Sequence, residues 1–134
     1  MRKRADAEDT VVAWQQVIAI GQQIVLLPND DLPAAIRQIR ANAADAWHNL
    51  GFLFYKLKRM AEAQAAFGEA IRLQPDVAHW YCDRATTDLR LGYFVDAKTD
   101  LARAAELDPE QPRLEKLRQE LNDARLQRDV KLDE

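Results

Sequence analysis

Only one cysteine, Cys82, occurs in the 134 residues, so no disulfide can close within the chain. A lone thiol fits a reducing compartment, and a cytoplasmic setting is expected. Glycine and proline are scarce, at four and five, and no tract reads as a disordered linker. Charge of one sign is also lacking. The net charge is -3 with a pI near 5.4, and Lys and Arg are scattered apart from Arg2-Lys3-Arg4 and the stretch from Lys56 to Arg59. Nothing in that balance calls for nucleic acid, and no nucleic-acid partner is expected. The sequence has no Gly-rich phosphate loop, no nucleophile with a His at motif spacing, and no metal-ligand cluster, so neither an enzyme nor a cofactor is expected. His48, His79 and Cys82 fall short of a metal site: His79 and Cys82 are three apart on a helix, but no fourth ligand accompanies them.

Long hydrophobic runs are missing as well, with one partial exception. Val11 to Leu27 carries no charged residue and follows a basic start, yet Asp6, Glu8 and Asp9 break the basic region and Gln15, Gln16, Gln22 and Gln23 break the run. The first Ala-x-Ala site after it, Ala41-Asn42-Ala43, lies well beyond it. The run is also shorter than the ~20 apolar residues that span a bilayer, so neither secretion nor membrane association is expected. Wound as a helix, it sets the four Gln on one stripe and Trp14, Val17, Ile18, Gly21, Ile24 and Val25 on a wide apolar face.

With 48% hydrophobic residues the chain can build one core, and the apolar positions repeat at helical spacing. Trp47, Leu50 and Phe54 fall on one helix face, with Gly51 opening a notch for a facing helix. Ala63, Phe67 and Ala70 repeat that geometry, an aromatic set between two small residues, and Gln74-Pro75 ends the helix. The order recurs 34 residues later: Tyr81 stands for Trp47, Ala85 for Gly51, Ala97 for Ala63, Leu101 for Phe67, Ala104 for Ala70 and Pro109 for Pro75. Leu73 and Leu107 close the two second helices.

These residues resemble the tetratricopeptide repeat family, with Phe54 in a slot that usually carries Tyr. The resemblance covers Ala44 to about Glu110 and implies an all-α, right-handed superhelical stack of antiparallel helix hairpins, an α-solenoid of about seven helices. Four segments follow: a degenerate hairpin over residues 1–43, repeat units over 44–77 and 78–111, and a capping helix with a frayed tail over 112–134. In the first segment Pro28-Asn29-Asp30-Asp31 reads as a turn before a short helix marked by Leu32, Ile36 and Ile39. In the last, Leu114, Leu117, Leu121 and Ala124 form an apolar stripe, Leu126 falls off it, and Asp129 to Glu134 reads as frayed.

The resemblance further implies a non-catalytic interaction module, an adaptor or assembly scaffold that docks a peptide or protein surface in a groove lined by the first helix of each hairpin. Carried over, the groove residues are Asp45, His48, Asn49, Phe52 and Tyr55, then His79, Cys82, Asp83, Thr86 and Leu89. Phe52 and Tyr55 either anchor a partner or pack against the amino-terminal helix. Some family members clamp a peptide carboxylate with Lys, Arg and Asn. Here His48, Phe52 and Asp83 occupy such slots and Arg113 alone is basic, which argues against a clamp. The alternative role is a scaffold that self-associates as a homo-oligomer through Trp14, Val17, Ile18, Ile24 and Val25.

The second repeat departs from the pattern at Arg84, in the Leu slot, and Asp88, in the aromatic slot. An internal ion pair is expected there, with Asp88 four residues on or with Asp100 on the facing helix.

Overall fold

The computed structural model describes residues 10–16 and 33–133, all in helices and short connections with no strand among them. Residues 10–16 are helical (α1), followed by α2 (Ala34–Lys56), α3 (Met60–Leu73), α4 (Ala78–Leu91), α5 (Phe94–Leu107) and α6 (Leu114–Asp133). The described residues as far as Pro75 form one compact unit and those from Asp76 a second.

In the first unit α2 and α3 are an antiparallel hairpin whose core is Ala46, Leu50, Phe54, Ala63, Ala66 and Phe67. The Gly51 notch is filled as the sequence implies: a Cβ there would lie 2.7 Å from two carbons of the Phe67 ring. Val11 of α1 is buried in the same cluster and Trp14 packs against it, so α1 folds onto its own unit. The α2–α3 turn holds Lys58 at φ 61°, while the Arg59 N–H donates to the Phe54 carbonyl at 2.9 Å. That is a left-handed helix cap. Arg59 then lies 4.7 Å over the Phe54 ring and grips Glu62 with two hydrogen bonds, holding down the first turn of α3.

In the second unit the same cap recurs 34 residues on, where Gly92 sits at φ 79° and the Tyr93 N–H donates to the Asp88 carbonyl at 2.8 Å. α4 and α5 form the hairpin, and α6 lies against both through Leu114, Leu117 and Leu121, the stripe expected of a capping helix. Leu126 is exposed, as its position off the stripe implies. α3 and α5 stop at Leu73 and Leu107, and Gln74 and Asp108 are extended ahead of their prolines.

The structure differs from the sequence reading in three places. The short helix around Ile36 and Ile39 is no separate element, because α2 runs unbroken from Ala34 to Lys56 and crosses the junction placed at residue 43. The reason is compositional: nothing between Ala34 and Leu50 breaks a helix, and the Ala-rich stretch favours one. Six helical segments are therefore found among the described residues, where about seven were expected. The tail is helical through Asp133, since Leu114 onward contains no Gly or Pro and is rich in strong helix formers. The amino-terminal positions Val17, Ile18, Gly21, Ile24 and Val25, and the turn at Pro28 to Asp31, lie outside the described residues.

Candidate interaction site

The first unit offers an exposed face on α2. Gln38, Asn42, Asp45, Asn49, Phe52 and Lys56 are all exposed and follow one another at three or four residues, which aligns them along one side of the helix. Phe52 is 46% exposed, an unusual state for a large aromatic. Its ring is held from two sides. Lys56 Nζ lies 5.4 Å from the ring centroid, and the His48 ring lies 6.3 Å away. His48 in turn stands 5.5 Å from Phe67, linking the exposed aromatic to the core beneath. Tyr55 resolves the other way: it is half-buried and packed against the core cluster.

On α4 of the second unit, His79 is exposed and Thr86 and Leu89 are half-buried. Cys82 and Asp83, read as groove residues, are instead buried. Cys82 behaves as a small apolar side chain, and burial pushes its thiol pKa up. Asp83 is drawn inward by Arg113 of the α5–α6 connection, whose guanidinium donates to Asp83 Oδ1 at 2.6 Å and to Thr86 Oγ1 at 3.2 Å. Arg113 is the basic residue that a carboxylate clamp would require, and a carboxylate of its own chain already holds it.

Beneath that face one of the charged departures, Arg84, pairs across the hairpin. Arg84 meets Asp100 across the hairpin in a two-pronged bond, 3.0 Å to Oδ2 and 2.6 Å to Oδ1, so the geometry selects Asp100 over Asp88 as its fork partner. Burial works against the Arg84 charge, but the hydrogen bond and attraction of Asp100 outweigh it and hold its pKa above the ordinary value. Thr87, fully buried, returns its hydroxyl to the carbonyls of Asp83 and Arg84. Among the described residues no three His, Cys, Asp or Glu side chains gather as metal ligands, and no helix is long and apolar enough to cross a membrane.

The profile of the family described as tetratricopeptide repeat matches residues 44–77. The chain carries a tetratricopeptide repeat. A 79-residue stretch, 58% of this chain, is also 35% identical to the DnaJ homolog subfamily C member 7 homolog of Schizosaccharomyces pombe. That stretch spans 17% of the fission yeast protein's length.

Each packing slot of the matched repeat is filled as the motif requires: Leu50, Gly51, Phe54, Ala63, Phe67 and Ala70 are buried, and Trp47 is half-buried against the same cluster. The next 34 residues rebuild the hairpin with Arg84, Asp88 and Asp100 standing where the repeat has Leu50, Phe54 and Ala66. Tetratricopeptide repeats serve in general as protein–protein interaction modules, and the α2 face is the first helix of the matched repeat.

Gln38, Asn42, Lys56 and Trp80 are assigned neither to the site nor to the core by the sequence reading, and Gln38 and Asn42 extend the exposed face toward the start of α2. Lys56, four residues after Phe52, belongs to the exposed face, and its spacing alone was a sufficient signal. Trp80 is buried in the first turn of α4, and the hint was Ala46, also buried, 34 residues earlier.

Proposed function

We propose that the chain is a non-catalytic docking module, an adaptor or assembly scaffold, that holds a peptide or protein surface on the exposed face of α2 with Phe52 as its anchor. The observation that carries this reading is Phe52 itself, an exposed aromatic braced by Lys56 and His48 on the first helix of a tetratricopeptide repeat. A ring fixed in place binds with little further loss of freedom, and exposed aromatics of this kind dominate binding energy at interfaces. The neutral Asn42 and Asn49 alongside can donate and accept hydrogen bonds to a backbone. A free, buried thiol at Cys82 accords with a reducing setting such as the cytoplasm. Self-association is less favoured, because Trp14 is engaged within its own unit.

The test is to select peptides by display on the intact chain and compare their affinity for Phe52→Ala. Phe52 lies outside the core, so the melting temperature should hold while affinity falls about thirtyfold, the loss of an anchor worth roughly 2 kcal/mol. Val95→Ala, at another exposed apolar position, should leave affinity unchanged. If Phe52→Ala retained full affinity for every selected peptide, the α2 docking face would be wrong.

A further inference from the structure

A second surface, on α5 and α6 of the second unit, follows a different chemistry. Between these helices runs an open groove of about 390 Å³. Its floor is Leu101, Ala102 and Leu121; its walls are Lys98 from α5 and Arg118, Asn122 and Arg125 from α6. Lys98, Arg118 and Arg125 are exposed, and among the described residues none has a carboxylate within ion-pair distance. Among the described residues six other arginines are neutralised, while Arg37 and Arg90 stand singly on the surface. Arg59, Arg72, Arg84, Arg103, Arg113 and Arg128 each meet a carboxylate at 2.6 to 3.3 Å. The protein is acidic overall, at -3, so three cations lining one groove do not follow from its net charge.

The spacing narrows the occupant. Arg118 and Arg125 are seven residues apart, two turns or about 10.5 Å along α6, with Asn122 between them on the same side. Lys98 faces them across the apolar floor. A helix laid in such a groove would set its apolar side on Ala102, which is exposed above the buried Leu101 and Leu121, and acidic side chains a turn or two apart would meet the walls.

We propose that the α5–α6 groove docks an acidic amphipathic helix of a partner protein, with Arg118, Arg125 and Lys98 pairing its carboxylates and the exposed Ala102, above the buried Leu101 and Leu121, meeting its apolar side. This site is separate from the α2 face and stands or falls independently of it. Charge complementarity sets orientation and speeds encounter, so binding weakens as salt screens the walls.

The experiment is a display selection of helical peptides against the intact chain, followed by anisotropy titration of the enriched peptides at low and high salt. Arg118→Glu with Arg125→Glu serves as the variant, and Phe52→Ala as the control for the other face. Both arginines are exposed, so the double variant should keep its melting temperature. The expected result is a class of Glu- and Asp-bearing amphipathic peptides whose affinity falls about tenfold in the double variant, is weakened by salt and is untouched by Phe52→Ala. The proposal is overturned if no acidic class emerges, or if such peptides bind the double variant equally well. It is equally overturned if an oligonucleotide competes with them more strongly than a poly-Glu peptide does, which would make the groove a phosphate site. A dimer in light scattering that the double variant abolishes would make its occupant a second copy of the chain, and would overturn it too.

Discussion

Gly51→Ala tests the contact on which the first hairpin closes. An added Cβ would stand 2.7 Å from Cδ1 and Cε1 of Phe67 and 3.1 Å from Cγ. Carbon atoms rest comfortably at about 3.5–4.0 Å, so the overlap is roughly 1 Å. The ring cannot easily retreat, because Phe67 is buried between Ala63 and Ala70 with the His48 ring nearby. Overpacking of this kind costs about 1–3 kcal/mol. Replacing a mid-helix glycine by alanine gives back about 1 kcal/mol of helix propensity, so the net loss should fall between zero and about 2 kcal/mol. A loss of 1 kcal/mol lowers the melting temperature of a chain this size by roughly 3–5 °C. In a Phe67→Leu background the ring edge at Cε1 is removed and the branched side chain can turn aside, so the overlap shrinks and the same change should cost less, or stabilise by up to about 1 kcal/mol. The assay is urea unfolding by circular dichroism for the four proteins of this cycle, with hydrogen exchange at α2 and α3 amides to keep the reading within the unit. A coupling under about 0.5 kcal/mol between the two positions would refute the argument, whatever the single effects.

Other outcomes follow from the same geometry. Lys58→Gly should stabilise by about 0.5–1 kcal/mol and Gly92→Ala should destabilise by about 1 kcal/mol, since both positions are left-handed and only glycine takes that conformation without penalty; thermal melts check both signs. Arg84→Ala strands the buried Asp100 carboxylate and should cost about 2–3 kcal/mol, somewhat below the loss for a fully buried pair because Arg84 is partly exposed; urea unfolding reads it, and an unchanged midpoint would dismiss the pair as structural. The raised Cys82 thiol binds its proton more tightly folded than unfolded, so its contribution is complete below the ordinary value of 9.0 and is lost as pH rises beyond it. Wild type should therefore lose stability above that pH relative to Cys82→Ala, and parallel pH curves for the two proteins would contradict this.

What the sequence disclosed was local. Trp47 through Pro75 and its echo 34 residues on revealed the hairpins, because 3.6-residue spacing and a terminating Gln-Pro or Asp-Pro act within a few residues of each other. The fusion of Ile36 and Ile39 into α2 is legible in principle: no breaker separates them from Trp47, and Ile36, Ile39, Ala43, Ala46 and Leu50 follow one another at three or four residues. The choice of Asp100 for Arg84 was out of reach, since both carboxylates are plausible at sequence level and only the fork geometry across the hairpin separates them. Asp83 failed as an exposed residue for a related reason. Its partner Arg113 is 30 residues away, and no periodicity links the two.

The unbroken α2 has a consequence of phase. Its 23 residues make a rod of about 34 Å, and every residue along it is indexed to every other at about 100° per position. Ile39 and Phe52, both exposed, thus hold a bearing fixed by the number of residues between them. One residue inserted near Asn42 would swing Ile39 by about 100° around the axis relative to Phe52, while seven would nearly restore its heading and only lengthen the shaft. Residue count in this stretch acts as a setting of direction, and sequences of this design should tolerate substitution there more readily than a change of length.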